Sequence, residues 1–209
     1  MKNKILVLKN LKKCFHFDEG MTIALDGIDL DIYKDEFVSI VGPSGCGKST
    51  ILSILVGLIN KTDGDIIIDD NTSIGYMLQT DSLFPWRTIL DNCLIGLEVN
   101  GLKNEENISY VISLLEKYGL GDFLDKYPDN LSGGMRQRVA LIRTLALKPD
   151  ILLLDEPMSA LDYQSRLSIS DDIYKIIKNE KKTAIMVTHD IAEVIYRINI
   201  PLFSSIVKP

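Results

Sequence analysis

Apolar side chains recur along this chain with two different spacings. Residues 28–32 (IDLDI) alternate strictly between apolar and acidic side chains, which is typical of a strand with one exposed face. Nearly continuous apolar runs at 37–41 and 151–154 are typical of parallel strands that are buried on both faces. The other predicted strands lie at residues 5–8, 65–69, 74–78 and 183–187.

Helical spacing occupies several of the segments between these strands. Val111, Leu114, Leu115 and Tyr118 recur at intervals of three and four residues, so residues 91–127 are predicted to be mainly helical. Further helices are predicted to run from 49 to about 58, from 133 to a limit set by Pro149, and from about 163 to 178.

This alternation of strands with helices predicts an α/β fold with a mostly parallel sheet. We expect a single domain over residues 1–209, with an opening β-region and helices inserted at about 88–148. Ligands of such sheets bind beyond the carboxyl ends of the strands. Gln79, the pair Asp155–Glu156 and His189 each follow a predicted strand, so we expect them at one edge of the sheet.

Composition narrows the classes of function. With 209 residues, 46% of them hydrophobic, the chain can bury a full core. The formal charge of -6 argues against a protein whose main partner is nucleic acid. The cysteines Cys14, Cys46 and Cys93 are scattered and odd in number, which favours a reducing cytoplasm over a disulfide framework or a zinc site. The first ten residues lack a long apolar segment, so a signal peptide is not expected. The longest apolar run, at 51–59, is too short to cross a bilayer, so at a membrane another subunit is expected to span it.

A glycine-rich loop carries the clearest chemistry. Residues 42–49 (GPSGCGKS) match the pattern G-x-x-x-x-G-K-[ST] between a predicted strand and a predicted helix. Glycines let backbone N–H groups point at a polyphosphate, and the helix start adds its positive end. Lys48 is expected to reach the outer phosphates, and the Ser49 hydroxyl to bind Mg²⁺. The predicted nucleoside triphosphate site comprises Gly42, Pro43, Ser44, Gly45, Cys46, Gly47, Lys48, Ser49 and Thr50.

Two carboxylates end the apolar run at 151–154. Asp155 would hold Mg²⁺, directly or through water, because hard cations prefer oxygen ligands. Glu156 would orient and deprotonate an attacking water molecule. The alternative interpretation of the pair is a solvated strand end, which the phosphate loop upstream makes the weaker one.

Two aromatic side chains precede the loop. The rings of Phe15 and Phe17 could stack on a nucleotide base. Both rings could equally pack within the sheet, and their position alone does not decide between these interpretations.

Residues 131–138 (LSGGMRQR) carry a likeness to a known family. They resemble the signature motif of the ATP-binding subunits of ABC transporters, and the family's other motifs occur in order over nearly the whole chain. These are Walker A at 42–49, the Q-loop glutamine Gln79, Walker B at 151–155 with Glu156, the D-loop at 159–162 and the switch histidine His189. The resemblance implies a P-loop ABC ATPase with a parallel core, an antiparallel β-subdomain and an inserted helical subdomain, with ATP and Mg²⁺ as cofactors.

The same resemblance implies roles for residues whose own patterns leave them open. Gln79 would contact Mg²⁺ and the water molecule, His189 would contact the γ-phosphate, and Phe15 fits the adenine-stacking position better than Phe17. Two copies would bind two ATP molecules head to tail. The helix start at Ser132, Gly133 and Gly134 of one copy would bind the γ-phosphate of the ATP on the other copy, and Asp162 of the D-loop is also expected to bind nucleotide.

Residues 83–88 (LFPWRT) and the short segment between Gly64 and Gln79 resemble the nitrate, sulfonate and taurine importers within the family. Related subunits serve the uptake of thiamine precursors and other small solutes, so these stay open as alternatives. The resemblance implies a peripheral protein at the cytoplasmic face of the membrane, with a membrane permease and, indirectly, a solute-binding protein as partners, and no nucleic acid. The alternative is a soluble ABC-type ATPase of DNA repair or translation, although such proteins usually carry a coiled-coil insertion or tandem cassettes. A small-molecule P-loop kinase does not explain residues 131–138.

Three features complete the expectations. Trp86, the only tryptophan, is either a packing anchor of its loop or part of a surface that receives the permease. Arg136, Arg138 and Arg143 are expected to be solvated or salt-bridged. After Glu193 the sequence departs from the family's pattern, so the last strands are expected to be altered or missing, without a C-terminal regulatory domain.

Overall fold

The computed structural model describes residues 3–18, 20–159, 161–190 and 202–203, and the structural statements below concern those residues. Their strands are β1 (Lys4–Phe17), β2 (Gly20–Tyr33), β3 (Phe37–Val41), β4 (Asp63–Ile68), β5 (Ile74–Met77), β6 (Ile151–Asp155), β7 (Thr183–Thr188) and β8 (Leu202–Phe203). Their helices are α1 (Lys48–Leu55), α2 (Ile89–Val99), α3 (Glu105–Lys117), α4 (Gly133–Leu145) and α5 (Tyr163–Asn179).

An antiparallel sheet of order β2-β1-β4 opens the chain. The alternation at 28–32 puts Ile28, Leu30 and Ile32 on its buried face, because successive side chains of a strand point to opposite sides. The strands predicted at 5–8 and 28–32 are therefore present, but each belongs to a strand of 14 residues. The backbone hydrogen bonds of both strands continue through polar residues, so the apolar pattern alone does not predict the full length of the strands.

The remaining strands form a parallel sheet of order β5-β6-β7-β3-β8. Every residue of β6 and β7 is buried, as expected from their apolar runs. The predicted α/β fold with a mostly parallel sheet is confirmed. β8 pairs with Ser39 and Ile40 of β3, and the rest of the predicted atypical end at 194–209 lies outside the described residues.

The parallel sheet separates two apolar cores. Leu152 and Leu154 of β6 pack on one face with residues of α2, α3, α4 and α5. Ile151 and Leu153 pack on the other face with α1 and the antiparallel sheet. As a result, α1 and the loop before it lie across the sheet from α2, α3 and α4.

The helices end and begin at identifiable residues. α1 ends at Leu55 rather than at the predicted 58 or so, because Gly57 takes a left-handed backbone conformation (φ 74°) that turns the chain. The side chains that cap the starts of α2, α3 and α4 are Thr88, Asn104 and Ser132. Within the described residues, no helix is both long and apolar enough to cross a membrane.

Candidate functional site

The glycine-rich loop joins the carboxyl end of β3 to the start of α1. Gly47 caps α1 with φ 94°, a left-handed conformation that glycine adopts without strain. A Cβ atom on Gly47 would lie 2.4 Å from the carbonyl oxygen of Ala24 in β2, so no larger residue fits. The loop therefore rests against β2. The first N–H groups of a helix have no intrahelical partner, and this end of α1 is suited to bind phosphate.

Lys48, the first residue of α1, is only 4% exposed. Its Nζ donates to the carbonyl oxygens of Gly42 at 2.8 Å and Pro43 at 2.9 Å. It also lies 3.6 Å from Oε1 of Glu156, directly after β6. A buried charge is tolerated when it is paired and hydrogen-bonded in this way. The loop and the end of β6 are thus joined through one ammonium group.

Asp155, the last residue of β6, is 7% exposed and accepts hydrogen bonds at both carboxylate oxygens. The Ser49 hydroxyl donates to Oδ1 at 2.7 Å, and the Tyr76 hydroxyl donates to Oδ2 at 2.9 Å. Burial first, and then the hydrogen bond to Asp155, raises the pKa of Tyr76 to about 12. The tyrosine is therefore a donor throughout the physiological range, and α1, β5 and β6 meet at this carboxylate.

Glu156 is held on both sides of its carboxylate. Oε2 lies 2.9 Å from Nδ1 of His189, and Oε1 faces Lys48. Its backbone has φ 43°, which costs a non-glycine residue on the order of 1 kcal/mol. Its N–H donates to the carbonyl oxygen of Val187 in β7. Such strain persists where the surrounding structure imposes it, and it concentrates at functional sites.

The oxygen ligands beside the loop fit a magnesium ion. The described residues contain no group of three or more His, Cys, Asp or Glu side chains that could hold a metal. Mg²⁺ does not need one, because proteins usually bind it through one or two carboxylates together with phosphate oxygens and water. The Ser49 hydroxyl and the Asp155 carboxylate supply such ligands at the mouth of the phosphate loop.

Gln79 follows the end of β5 by two residues and is exposed. It leaves the sheet at the edge where Asp155 and Glu156 lie, because Met77 pairs with Leu154 of β6. Within the described part of the chain, no hydrogen bond joins it to Lys48, Asp155 or Glu156. Direct contacts therefore join the loop, the two carboxylates and His189, and Gln79 makes none of these contacts.

The two aromatic candidates differ in exposure. Phe17 is 64% exposed, so the interpretation that both rings pack within the sheet is wrong. Phe15 is half-buried, pairs with Thr22 of β2, and has Nζ of Lys13 4.8 Å from its ring centroid. Thr22 is two residues from Ala24, against which the phosphate loop rests, so Phe15 lies a short distance along the same hairpin from the loop.

The signature glycines lie at the start of α4. Ser132 caps α4 by accepting a hydrogen bond from the backbone of Met135 at 3.3 Å. A Cβ atom on Gly134 would lie 2.0 Å from Cδ1 of Ile169, so α4 approaches α5 more closely than a larger residue permits. An open cleft of about 420 Å³ here is lined by Ser132, Gly133, Gly134, Leu161, Asp162, Ser168 and Ile169. Ala160 of the D-loop is outside the described residues.

This cleft and the phosphate loop lie at the starts of two helices, α4 and α1, that pack against different elements. α4 packs mainly with α2, α5 and β5, whereas α1 packs with β2, β6 and β7. The structure of one chain therefore gives residues 132–134 an exposed cleft of their own.

Two arginines of α4 hold the segment that follows β5. Nε of Arg136 donates to Asp81 Oδ2 at 3.0 Å, which confirms the expected salt bridge of that arginine. Arg143 donates to the carbonyl oxygens of Asp81 at 2.7 Å and Ser82 at 2.8 Å. Sequence reasoning missed this tie, although a spacing of seven residues places both arginines on one face of a helix.

Trp86 is 72% exposed, which favours the surface interpretation of this ring over the packing anchor. Its ring centroid lies 5.3 Å from that of Phe84. The backbone around it is fixed by Asn92, which is buried on α2. The Asn92 side chain accepts from the N–H of Phe84 and donates to the carbonyl oxygens of Phe84, Arg87 and Thr88. A rigid loop thus presents an exposed indole.

Sequence reasoning also missed Tyr76. The strand at 74–78 was predicted from its apolar pattern, which says nothing about a hydroxyl. The available signal is the register, because Tyr76 pairs with Leu153 and so lies diagonally opposite Asp155 on the neighbouring parallel strand.

Known proteins share both the sequence and the fold of this chain. A family model described as ABC transporter matches residues 25–159. The uncharacterized ABC transporter ATP-binding protein YtlC of Bacillus subtilis is 49% identical over 180 residues, which cover 83% of this chain and 69% of YtlC. The Fe(3+) ions import ATP-binding protein FbpC 1 of Haemophilus influenzae is 41% identical over 91% of this chain and 60% of its own length.

A third relative is the bicarbonate transport ATP-binding protein CmpC of Synechococcus elongatus, 40% identical over 91% of this chain and 30% of CmpC. Among solved structures, a dimeric post-hydrolysis state of the ATP-binding cassette MJ0796, bound to ADP and Pi, matches with a TM-score of 0.74 and 35% identity. The match covers 90% of each chain.

Proposed function

The chain belongs to the ABC transporter family and is an ATP-binding ATPase, and on that premise we propose that it powers the import of a small solute through a membrane permease. The observation that carries the ATPase chemistry is the linked cluster at the carboxyl edge of the parallel sheet. Lys48 contacts Glu156, Ser49 contacts Asp155, and Glu156 contacts His189.

The cluster divides the work of phosphoryl transfer among its members. The N–H groups of the loop and Lys48 bind the phosphates, and Ser49 and Asp155 hold Mg²⁺. When bound, the ion neutralises charge that develops on the phosphate oxygens. Glu156 orients and deprotonates the attacking water, and the contacts on both of its oxygens fix it for that task.

The remaining residues complete the site around the nucleotide. His189 contacts the γ-phosphate from its position beside Glu156. Phe15 provides the surface for the base, which its place on the hairpin next to the loop supports. Gln79 contacts Mg²⁺ and the water from the segment after β5, at the same edge of the sheet as Asp155 and Glu156.

A second copy of the chain supplies Ser132, Gly133, Gly134 and Asp162. The cleft that these residues line is open, and it is remote in packing from the chain's own phosphate loop. A helix start with a capping serine is suited to bind an anion. Two copies facing each other head to tail would bring each cleft to the γ-phosphate on its partner.

Mixing two inactive variants tests this sharing. Lys48→Ala removes the phosphate ligand, and Ser132→Arg blocks the cleft while leaving the loop intact. In a mixed dimer, one of the two sites has both a native loop and a native cleft. We expect the mixture to hydrolyse ATP well above either variant alone. A mixture no more active than its components contradicts a site shared between copies.

The membrane partner would dock near Trp86, at the cytoplasmic face, with a solute-binding protein acting on the far side of the permease. A relative named for Fe(3+) ions import supports an importer, and a relative named for bicarbonate transport shows that small anions are among the family's solutes. Residues 83–88 favour a small anionic or organic solute such as nitrate, a sulfonate or taurine. A soluble role in DNA repair or translation is less favoured, because the relatives are named for transport.

Growth of a deletion strain tests the solute class. Cells without this gene are supplied with nitrate as the nitrogen source, or with taurine or another sulfonate as the sulfur source. Loss of growth on one of them, restored by the native gene but not by Lys48→Ala, supports the proposal. Undiminished growth on all of them contradicts the solute class while leaving the ATPase assignment in place.

A further inference from the structure

A tyrosine that belongs to none of the chain's nucleotide-binding motifs contacts the carboxylate at the centre of the site. Tyr76 lies on β5 and pairs with Leu153 of β6, and Asp155 follows two residues later on the same face of the sheet. This diagonal spacing lets the long tyrosine side chain reach the carboxylate. Its hydroxyl donates to Oδ2 of Asp155 at 2.9 Å.

We propose that Tyr76 is a positioning residue for the magnesium site, which it serves by holding Oδ2 of Asp155 so that Oδ1 stays directed at Ser49 and the ion. The inference rests on the proposed Mg²⁺ site at Ser49 and Asp155. It assigns to Tyr76 no contact with nucleotide or metal, since it acts through the carboxylate alone.

The two donors to Asp155 have different tasks. The Ser49 hydroxyl donates a hydrogen bond to Oδ1 at 2.7 Å, and the lone pairs of its oxygen stay available for a cation. Tyr76 occupies the other oxygen and needs no role at the ion. With Ser49 alone, the carboxylate would pivot about a single hydrogen bond. With both donors, the plane of the carboxylate is fixed. Residues that hydrogen-bond to metal ligands commonly orient those ligands in this way.

The tyrosine hydroxyl lies close to α1 as well as to Asp155. The Ser53 side chain, one turn of α1 beyond Ser49, is near enough to lower the pKa of Tyr76, although burial and Asp155 outweigh it. Ser49 and Ser53 are four residues apart, so the face of α1 nearest to Tyr76 also carries the metal-binding hydroxyl.

A purely structural role makes a different prediction. A half-buried tyrosine hydroxyl needs some acceptor, and Asp155 would be that acceptor by proximity. Removing the hydroxyl would then lower the melting temperature without changing the response to Mg²⁺. The chain offers a matched control in Tyr118, which is also half-buried and donates to the carboxylate of Glu180, directly after α5, at 2.6 Å.

The experiment compares Tyr76→Phe, Tyr118→Phe and the native chain. Binding of a fluorescent ATP analogue is titrated with Mg²⁺, and again in EDTA, and direct Mn²⁺ binding is followed by electron paramagnetic resonance. For Tyr76→Phe we expect the half-saturating Mg²⁺ or Mn²⁺ concentration to rise by about tenfold. Nucleotide affinity in EDTA should stay at the native value, and Tyr118→Phe should give the native metal response.

The outcomes separate the two levels of the proposal. If the native chain shows no dependence on Mg²⁺ or Mn²⁺, the metal site itself is contradicted. If the native chain depends on the metal and Tyr76→Phe gives the same titration, or Tyr118→Phe shifts equally, the positioning role is overturned. Should Tyr76→Phe fail to fold, Tyr76→Met fills the site with another side chain that lacks a donor, and the same outcomes apply.

Discussion

Strand β6 has an aspartate at each end, and the two carboxylates are held differently. Asp150, just before the strand, accepts two hydrogen bonds at Oδ2 from the N–H and the hydroxyl of a single residue, Ser73. Asp155, at the carboxyl end, accepts from Ser49 on α1 and Tyr76 on β5. Asp150 is exposed, whereas Asp155 is buried.

The difference shows what each edge of a parallel sheet can do. At the amino edge, the carboxylate closes a local contact that joins the start of β6 to the residue before β5. At the carboxyl edge, the loop to α1 and the segments after β5, β6 and β7 converge, so one carboxylate collects donors from distant parts of the sequence. Substitutions at the carboxyl edge should therefore lower ATP hydrolysis, whereas substitutions at the amino edge should lower the stability of the fold.

The largest expected effect is at Glu156, beside Asp155. Glu156→Gln removes the base while keeping the shape of the side chain, so ATP hydrolysis should fall by about 10²–10⁴-fold. ATP binding should be retained, and ATP should hold two copies together, which light scattering with and without ATP measures. Hydrolysis at the native rate in Glu156→Gln would show that Glu156 is not the base. It would also contradict the assignment of catalysis to this part of the carboxyl edge.

Modification of Cys46 should give the next largest effect. Its sulfur lies over Gly42 inside the phosphate loop and is partly exposed. A bulky maleimide there would occupy the space for phosphate, so hydrolysis should fall by about tenfold or more, and Mg-ATP should slow the loss. Cys46→Ala is the control, because Cys14 and Cys93 remain in it. Equal sensitivity of that variant would place the damage outside the loop.

A smaller effect is expected beyond the end of β5, where Trp86 is exposed. Trp86→Ala should lower permease-coupled transport by about fivefold, the effect of losing one aromatic contact of an interface, with little change in the ATPase rate of the chain alone. Docking should shift Trp86 emission to the blue as water leaves the ring.

Leu58→Ala is a matched loss of an exposed apolar side chain outside this loop and should leave transport at the native level. A lower melting temperature together with a loss of both activities in Trp86→Ala would show that the ring supports the fold instead.

The smallest effect is predicted at the amino edge. Hydrogen bonds from the N–H and then the hydroxyl of Ser73 lower the pKa of Asp150 below its ordinary value. A carboxyl group with a lowered pKa stabilises the folded chain at neutral pH, and that contribution is lost as the pH falls through its folded pKa. Asp150→Asn should thus cost less than about 1 kcal/mol at pH 7, since the group is exposed.

Thermal unfolding across a pH series measures this prediction. The difference in melting temperature between Asp150→Asn and the native chain should shrink as the pH falls below the usual range of an aspartate. Asp70→Asn, a matched loss of charge in the exposed turn before Ser73, controls for net charge. A difference that persists at acid pH, or one that Asp70→Asn reproduces, would show that the charged form of Asp150 contributes nothing specific.

The sequence was sufficient for the parts of the molecule that repeat a local rule. Apolar runs predicted the buried strands β6 and β7, and the glycine-rich loop followed from its own spacing. It was insufficient where a contact depends on register or on helix faces, as with Tyr76 and the tie from Arg143 to the segment after β5. The end of α1 was misplaced because Gly57 turns a chain whose apolar pattern continues.

The hydrogen bonds of Asn92 have a mechanical consequence. One buried side chain binds four backbone groups of the loop that carries Trp86, so the loop cannot bend without breaking several bonds at once. A partner that displaces the Trp86 ring would therefore move the loop and α2 together, because Asn92 connects them. The amide hydrogens of Phe84 and Arg87, which donate to Asn92 and to the Phe84 carbonyl oxygen, should accordingly exchange with solvent more slowly than those of an exposed loop without such bonds.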